Sequence, residues 1–396
     1  MNYNGNPGNK QTAGLFGCIS KAEINDLTLE APKIKGPDLN IERPTYTGAL
    51  AGLSLGDGGG NSSISGCKIV AGDGSGSVTG GDATGMDGFS YTGGLIGYSE
   101  YTTVINSYTE VSVAGGQAIN SSYTGGLIGY SSNSSVTNAF AKGNVAGGQA
   151  TYGSSTGGLI GGSRNTSVAN TFASGNVTGG QARGSNAGGL IGEVYISGNV
   201  SDSYATGNVA GGETTGGSGF FSTTGGLIGN ALCNDLLGLT VTNCYSAGEV
   251  HGGQATSGAT SNAGGLIGRC RSANGVLKVE ICLVFAPGIS SPANIQNRVI
   301  GLKDIAGGAI TFTNNYAWVA TGTWNISTPA HDNENGADWT APTGISPSVW
   351  TNPLFGWDFK TTYDPAFPWL TETITNYLPI LNNIPEELQQ IGRAHV

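Results

Sequence analysis

Apolar positions in this chain fall in short clusters at a fixed interval, separated by Gly, Ser, Thr and Asn. The sharpest cluster is Gly-Gly-Leu-Ile-Gly, which begins at Gly93, Gly125, Gly157, Gly188, Gly225 and Gly264. Within it Gly94, Gly126, Gly158, Gly189, Gly226 and Gly265 precede Leu95, Leu127, Leu159, Leu190, Leu227 and Leu266. About ten residues later comes Val-x-Asn-x-aromatic, ending at Tyr108, Phe140, Phe172, Tyr204 and Tyr245, with Asp202 replacing Asn in one copy. Side chains alternate along a strand, so Val, Asn and the aromatic are expected on one face. Stacked copies would pile like on like at about 4.8 Å per step. An Asn column then satisfies its own amides.

A third cluster, Gly-x-Val-x-Gly-Gly, follows, as in Gly143–Gly148 and Gly175–Gly180. Phe140 and Val145 differ in parity, so the strand phase changes between them. Gly143 is expected at that bulge or corner, where Gly tolerates unusual backbone angles. Gln117, Gln149, Gln181 and Gln254 form a further column, with Asp82 and Glu213 as variants.

Each repeat of about 32 residues thus offers three short strands and no 3.6-residue helical period. A propeller blade needs about 40–50 residues, so one turn of a parallel β-helix per repeat fits better. Degenerate copies at Ala13–Gly17, Gly48–Gly52, Ile64–Cys67 and Val279–Leu283 bring the array to about eight turns. The expected fold is all-β: a β-solenoid over 1–298, then a terminal turn and Trp/Pro-rich cap over 299–390. Five of the six Trp residues lie between Trp324 and Trp369. Such a cap shields the open end of the stack. Ile391–Val396 reads as one frame of a widely used sequencing adapter and is set aside. On that reading the chain is a metagenomic fragment, and Met1–Asn6 lacks the basic and apolar regions of a signal peptide.

Composition narrows the functions. Of 396 residues 70 are Gly, only 11% are charged, and the net charge is −10. No basic stripe exists to neutralise phosphates, so nucleic acid is not an expected partner. No run of 18 apolar residues offers a membrane span. The 38% hydrophobic content, at repeating positions, excludes disorder.

Gly-Gly-Leu-Ile-Gly followed by Val-x-Asn-x-Tyr-Ala-x-Gly-x-Val resembles the GLUG-motif repeats of bacterial surface proteins. Asn314–Trp318 after Arg298–Gly301, and the tail Trp357–Leu381, are similar to the closing segments of such arrays. The resemblance implies a right-handed β-solenoid exported to the cell surface. Repeats of this kind occur in adhesin-like proteins, large surface proteins of gut bacteria and some immunoglobulin A-cleaving metalloproteases.

Candidate chemistry is sparse. A zinc protease needs His-Glu-x-x-His, and His251, His331 and His395 lack that context. Asp202 and Glu213 read as variants within Asn and Gln columns rather than a catalytic carboxylate pair. Asp73, Asp82 and Asp87 lack the spacing of a calcium loop. No Gly-rich segment has the phosphate-loop pattern. No cofactor, metal or catalytic residue is expected. Cys244 and Cys282 share a register in successive turns, close enough to bridge or to stack as buried thiols.

Insertions in a solenoid gather along one edge, often the binding edge. The longest, Thr214–Thr224, carries Phe220 and Phe221. Tyr98 and Tyr130 follow the pentapeptide in adjacent turns and are expected to form an aromatic strip, with Tyr101 and Tyr123 near. These four, Tyr98, Tyr130, Phe220 and Phe221, are the candidate ligand contacts. The expected function is a non-enzymatic surface adhesin that binds an extracellular glycan or host protein by multivalent contact. The alternatives are a polysaccharide lyase or glycosidase on a β-helix, and a stalk within a larger surface protease or phage structural protein.

Overall fold

The computed structural model describes residues 2–4, 11–234, 237–292, 295–318, 333, 335–339, 359–360, 369–370 and 380–381. Parallel strands stack there as a β-solenoid of nine turns, one more than the repeats predict, and the described residues include no helix. One turn runs through Ser121–Gly125, Ile128–Ser132, Ser135–Ala141 and Val145–Ala146. Its first strand belongs to one nine-stranded sheet and its last to a second nine-stranded sheet. The middle strands lie in a bent 24-stranded sheet. A separate three-stranded sheet joins Phe359–Lys360, Trp369–Leu370 and Ile380–Leu381. Most of the Trp/Pro-rich segment, His331, His395 and the adapter-like end lie outside the described residues.

The core is a set of axial columns. Leu95, Leu127, Leu159, Leu190, Leu227 and Leu266 are fully buried, as are the Ile residues that follow them. At each pentapeptide two backbone donors converge on one carbonyl: Leu127 N and Ile128 N both donate to Leu159 O, at 2.8 and 3.0 Å. This arched corner brings the second Gly close to the facing strand. A Cβ on Gly126 would run into the Gly158 carbonyl and lie 2.8 Å from the Cβ of Ala141. Glycine is required there by close approach rather than by backbone angle. The first copy is one residue short: Gly14 takes the place of Gly48, and Phe16 pairs with Ala51.

The ladder continues beyond Val299 through Ile300–Ile305, Ala309–Thr313 and Tyr316–Trp318, which pairs with Ala337–Trp339. Arg298 stands at the second Gly position of this last turn. It is buried, donates to Asn335 O (3.0 Å) and Gly336 O (2.8 Å), and pairs with Asp338 at 2.6 Å. Among the described residues no further pentapeptide carbonyl stacks on it, so a long side chain fits where Gly126 could carry none.

Two expectations about local geometry need correction. Val, Asn and the aromatic do not share a face, because the chain turns at the Asn. Asn106, Asn138, Asn170, Asp202 and Asn243 all have φ between 50 and 53°, the left-handed region that Asn and Asp tolerate best. This corner sends Val104 and Ser107 inward and leaves Asn106 exposed. The Asn column still bonds to itself: Asn138 Nδ2 donates to Asn106 Oδ1 and Asn243 Nδ2 to Asp202 Oδ1, both at 3.2 Å. Inward-facing Ser and Thr satisfy the corner backbone, as where Thr171 N donates to Ser203 Oγ at 3.1 Å.

The aromatics form an unbroken ladder on the other face of their strand. Tyr108, Phe140, Phe172, Tyr204 and Tyr245 stack with centroids 4.5–5.0 Å apart and planes within 8°. Each inner ring is covered by its neighbours, and Lys142 lies over Phe140. The second correction concerns Gly143. It has no left-handed φ. A Cβ there would strike the Val111 carbonyl, and one on Gly175 the Gly143 carbonyl, so these glycines too are set by axial crowding.

Candidate functional site

Tyr98 and Tyr130 stack at 5.6 Å, as the register predicts. They do not stand free as a strip. The pentapeptide doubles the chain back on itself, so a second column from the preceding strands, Tyr46, Tyr91 and Tyr123, meets them. Tyr91 stacks on Tyr46 at 5.3 Å and on Tyr123 at 5.5 Å. The two columns touch edge to face, Tyr91 with Tyr98 at 5.3 Å and Tyr123 with Tyr130 at 4.9 Å. Burial first, and then the nearby Glu193 carboxylate, push the Tyr130 hydroxyl up to about 12. Five rings packed against one another serve the fold first. Tyr101 lies apart, at a corner with φ 46°.

The tyrosine columns end at Gly162, where a Cβ would lie 2.7 and 2.8 Å from the rings of Tyr123 and Tyr130. The same cleft then turns polar. Ser155 Oγ donates to Glu193 Oε2 at 3.1 Å and Asn230 Nδ2 to Glu193 Oε1 at 3.3 Å. Arg269 pairs with Asp304 at 2.6 Å, and its guanidinium lies 4.1 Å over the Phe221 ring. Burial raises the Glu193 pKa, against the lowering effect of its two donors and Arg269. Phe220 and Phe221 therefore part company: Phe221 packs under Arg269, whereas Phe220 is exposed and folds over Gly216.

Cys244 and Cys282 occupy one inward column in successive turns, both buried and both free thiols. The Cys244 thiol donates to Thr242 O at 3.1 Å. His251 is a surface residue between Ser290 Oγ (2.9 Å) and Glu249 Oε2 (3.3 Å). Asp202 accepts within the Asn column. Glu213 accepts from Gln181 Nε2 at 2.8 Å.

Among the described residues, a concavity open to solvent lies along the glutamine column. It encloses about 410 Å³ and is lined by two ranks of side chains over a small floor. Gln117, Gln149 and Gln181 form one rank. Thr84, Ile119, Thr151, Arg183 and Thr215 form the other, each two residues beyond the glutamine position of its turn. Ala118 and Ala150 form the floor, since they alternate inward between the two ranks.

The floor backbone is already paired. Ala118 N donates to Gln149 O at 2.9 Å, Ala150 N to Gln181 O at 2.8 Å, and Ile119 N to Ala83 O at 3.0 Å. Arg183 lies 5.2 Å over the ring of Tyr152, and that tyrosine is 51% exposed. The sequence singles out the Gln column but not its partner rank, whose members share no residue type. The legible signal is the small residue at Gln+1, which makes Gln and Gln+2 the two outward positions. The long insert Thr214–Thr224 leaves the solenoid at this same edge, through Thr215.

Two turns, residues 120–146 and 183–210, match the model of the family described as the GLUG motif. No curated protein and no solved structure matches the chain. The matched stretches each run from the lip of the groove through the pentapeptide, the Asn corner and the aromatic to the following Val strand. The same sequence of features recurs in register in the turns between and around them. The chain carries GLUG-motif repeats.

Proposed function

We propose that this chain is a non-enzymatic, adhesin-like scaffold of the bacterial cell surface, binding extracellular glycan or host protein by repeated contact along its glutamine edge. One observation carries the reading: Gln117, Gln149 and Gln181 recur on successive rungs beside a second rank that runs from Thr84 to Thr215, so the same side-chain amide is offered several times over. Weak contacts repeated on a rigid rod add through avidity. The rod itself is rigid because every turn is hydrogen-bonded to the next. A surface of Ser, Thr, Asn and Gln with 11% charged residues suits polar, uncharged contact outside the cell.

The test is adhesion. Beads coated densely with the chain should be retained on mucin-coated or epithelial surfaces, and sparsely coated beads should not. Equal failure of both coatings on every surface tried would refute the adhesive role.

A further inference from the structure

Resting on that reading of the edge, we propose that the groove is a site for a linear, uncharged polysaccharide lying parallel to the solenoid axis. The second rank covers five rungs from Thr84 to Thr215, and the glutamine rank the three rungs between. Four steps of about 4.8 Å make a trough of roughly 19 Å, long enough for several sugar units in a row.

The chemistry of the walls selects the ligand. Each glutamine amide offers one acceptor oxygen and two donor hydrogens, and the Thr151 hydroxyl can both donate and accept; the hydroxyls of Thr84 and Thr215 donate to Leu39 O and Ala182 O and are left as acceptors. Sugar hydroxyls need that mixture. The side chains of Gln117 and Gln149 line the groove, and their amides make no hydrogen bond among the described residues. Gln181 is held by Glu213, which closes the hydrogen-bonding row at one end. Tyr152 is not itself part of the lining, but its half-exposed ring touches the lining residue Arg183 and extends the site with an aromatic surface for the apolar face of a sugar.

Two other ligand classes fit poorly. A peptide adding as a strand needs free backbone donors and acceptors, and those of Ala118, Ala150 and Ile119 are used between turns. A polyanion needs a cation at each repeat; among the described lining residues Arg183 is the one cation, and Glu213, bonded to Gln181, places a carboxylate at the same end.

The experiment is affinity electrophoresis of the full chain through gels containing β-1,4-glucan, β-1,3-glucan, xylan, mannan, galactan or polygalacturonate. At least one neutral polymer should retard the protein, and its oligosaccharides should gain affinity with length up to about the reach of the trough. Gln149→Ala and Tyr152→Ala should each weaken that binding about tenfold, the effect of one good hydrogen bond or stacking contact. Both residues are on the surface, so circular dichroism should show an unchanged fold. Retardation by polygalacturonate alone, by no neutral polymer, or equally for wild type and both variants would overturn the proposal. Bead adhesion that persists in Gln149→Ala and Tyr152→Ala would sink this site while leaving the scaffold role standing.

Discussion

Gly126 faces Ala141 across the core, and the absent side chain of the first is the space the second occupies. The same pairing joins Gly94 to Thr109, Gly158 to Ala173 and Gly189 to Ala205. The pentapeptide and the residue after the aromatic are therefore one packing unit, although 15 to 16 residues apart in sequence.

Gly126→Ala should destabilise the chain by roughly 3 kcal/mol, the upper part of the usual overpacking range. Adding Ala141→Gly should not restore stability, because the Gly158 carbonyl still blocks the new methyl group. Gly288→Ala, where a Cβ meets nothing within 4 Å, is the control. Denaturant midpoints of the three variants decide the matter; an unaffected Gly126→Ala would mean that the turns separate easily.

Two hydroxyl columns of the first sheet should respond in opposite ways. Ser154 Oγ donates to Gly148 O at 2.9 Å, and Ser122, Ser185 and Ser222 make the equivalent bond. Thr156 Oγ1, two residues on, is buried without a partner, as are those of Thr92 and Thr124. Ser154→Ala should cost about 1–2 kcal/mol. Thr156→Val removes an unsatisfied hydroxyl and should be neutral or slightly stabilising. Ala187 and Ala263 already fill that register in other turns. Thermal unfolding of both variants would show the contrast, and equal losses would contradict it.

Ile281 occupies the left-handed corner at φ 55°, where the turns on either side have Asn243 and Asn314. A β-branched residue is strained there. Ile281→Asn should raise stability by about 1 kcal/mol, read as a higher unfolding midpoint. A lower midpoint would mean that the isoleucine contributes more by packing than its backbone costs.

Glu193 sets a pH dependence whose sign follows from burial. Its folded-state pKa is raised above the ordinary value of 4.5, so over that interval the folded chain holds a proton that the unfolded chain has lost. The contribution of this group is most favourable below pH 4.5 and declines as pH rises through the folded pKa. Glu193→Gln should keep the Ser155 and Asn230 contacts, remove that decline and leave the variant more stable than wild type at neutral pH. Melting curves from pH 4 to 8 test it; parallel pH profiles would show that Glu193 carries no such effect.

The periodicity of the chain by itself determined the repeat, its length, the parallel stacking and most of the columns. The main clusters are repeated five or six times, so like must lie on like wherever the turns stack. Tertiary structure decided what alternation could not. The Asn corner rotates the chain between Val104 and Tyr108, so the aromatic ladder and the Val column part onto opposite faces. The doubled-back pentapeptide brings Tyr91 against Tyr98, turning an expected exposed strip into a packed cluster. Phe220 and Phe221, adjacent in sequence, separate because Arg269 from the next turn claims only one ring. The groove escaped the sequence reading for a related reason. Its second rank, from Thr84 to Thr215, is unified by position on an edge rather than by residue type, and position exists only once the turns are stacked.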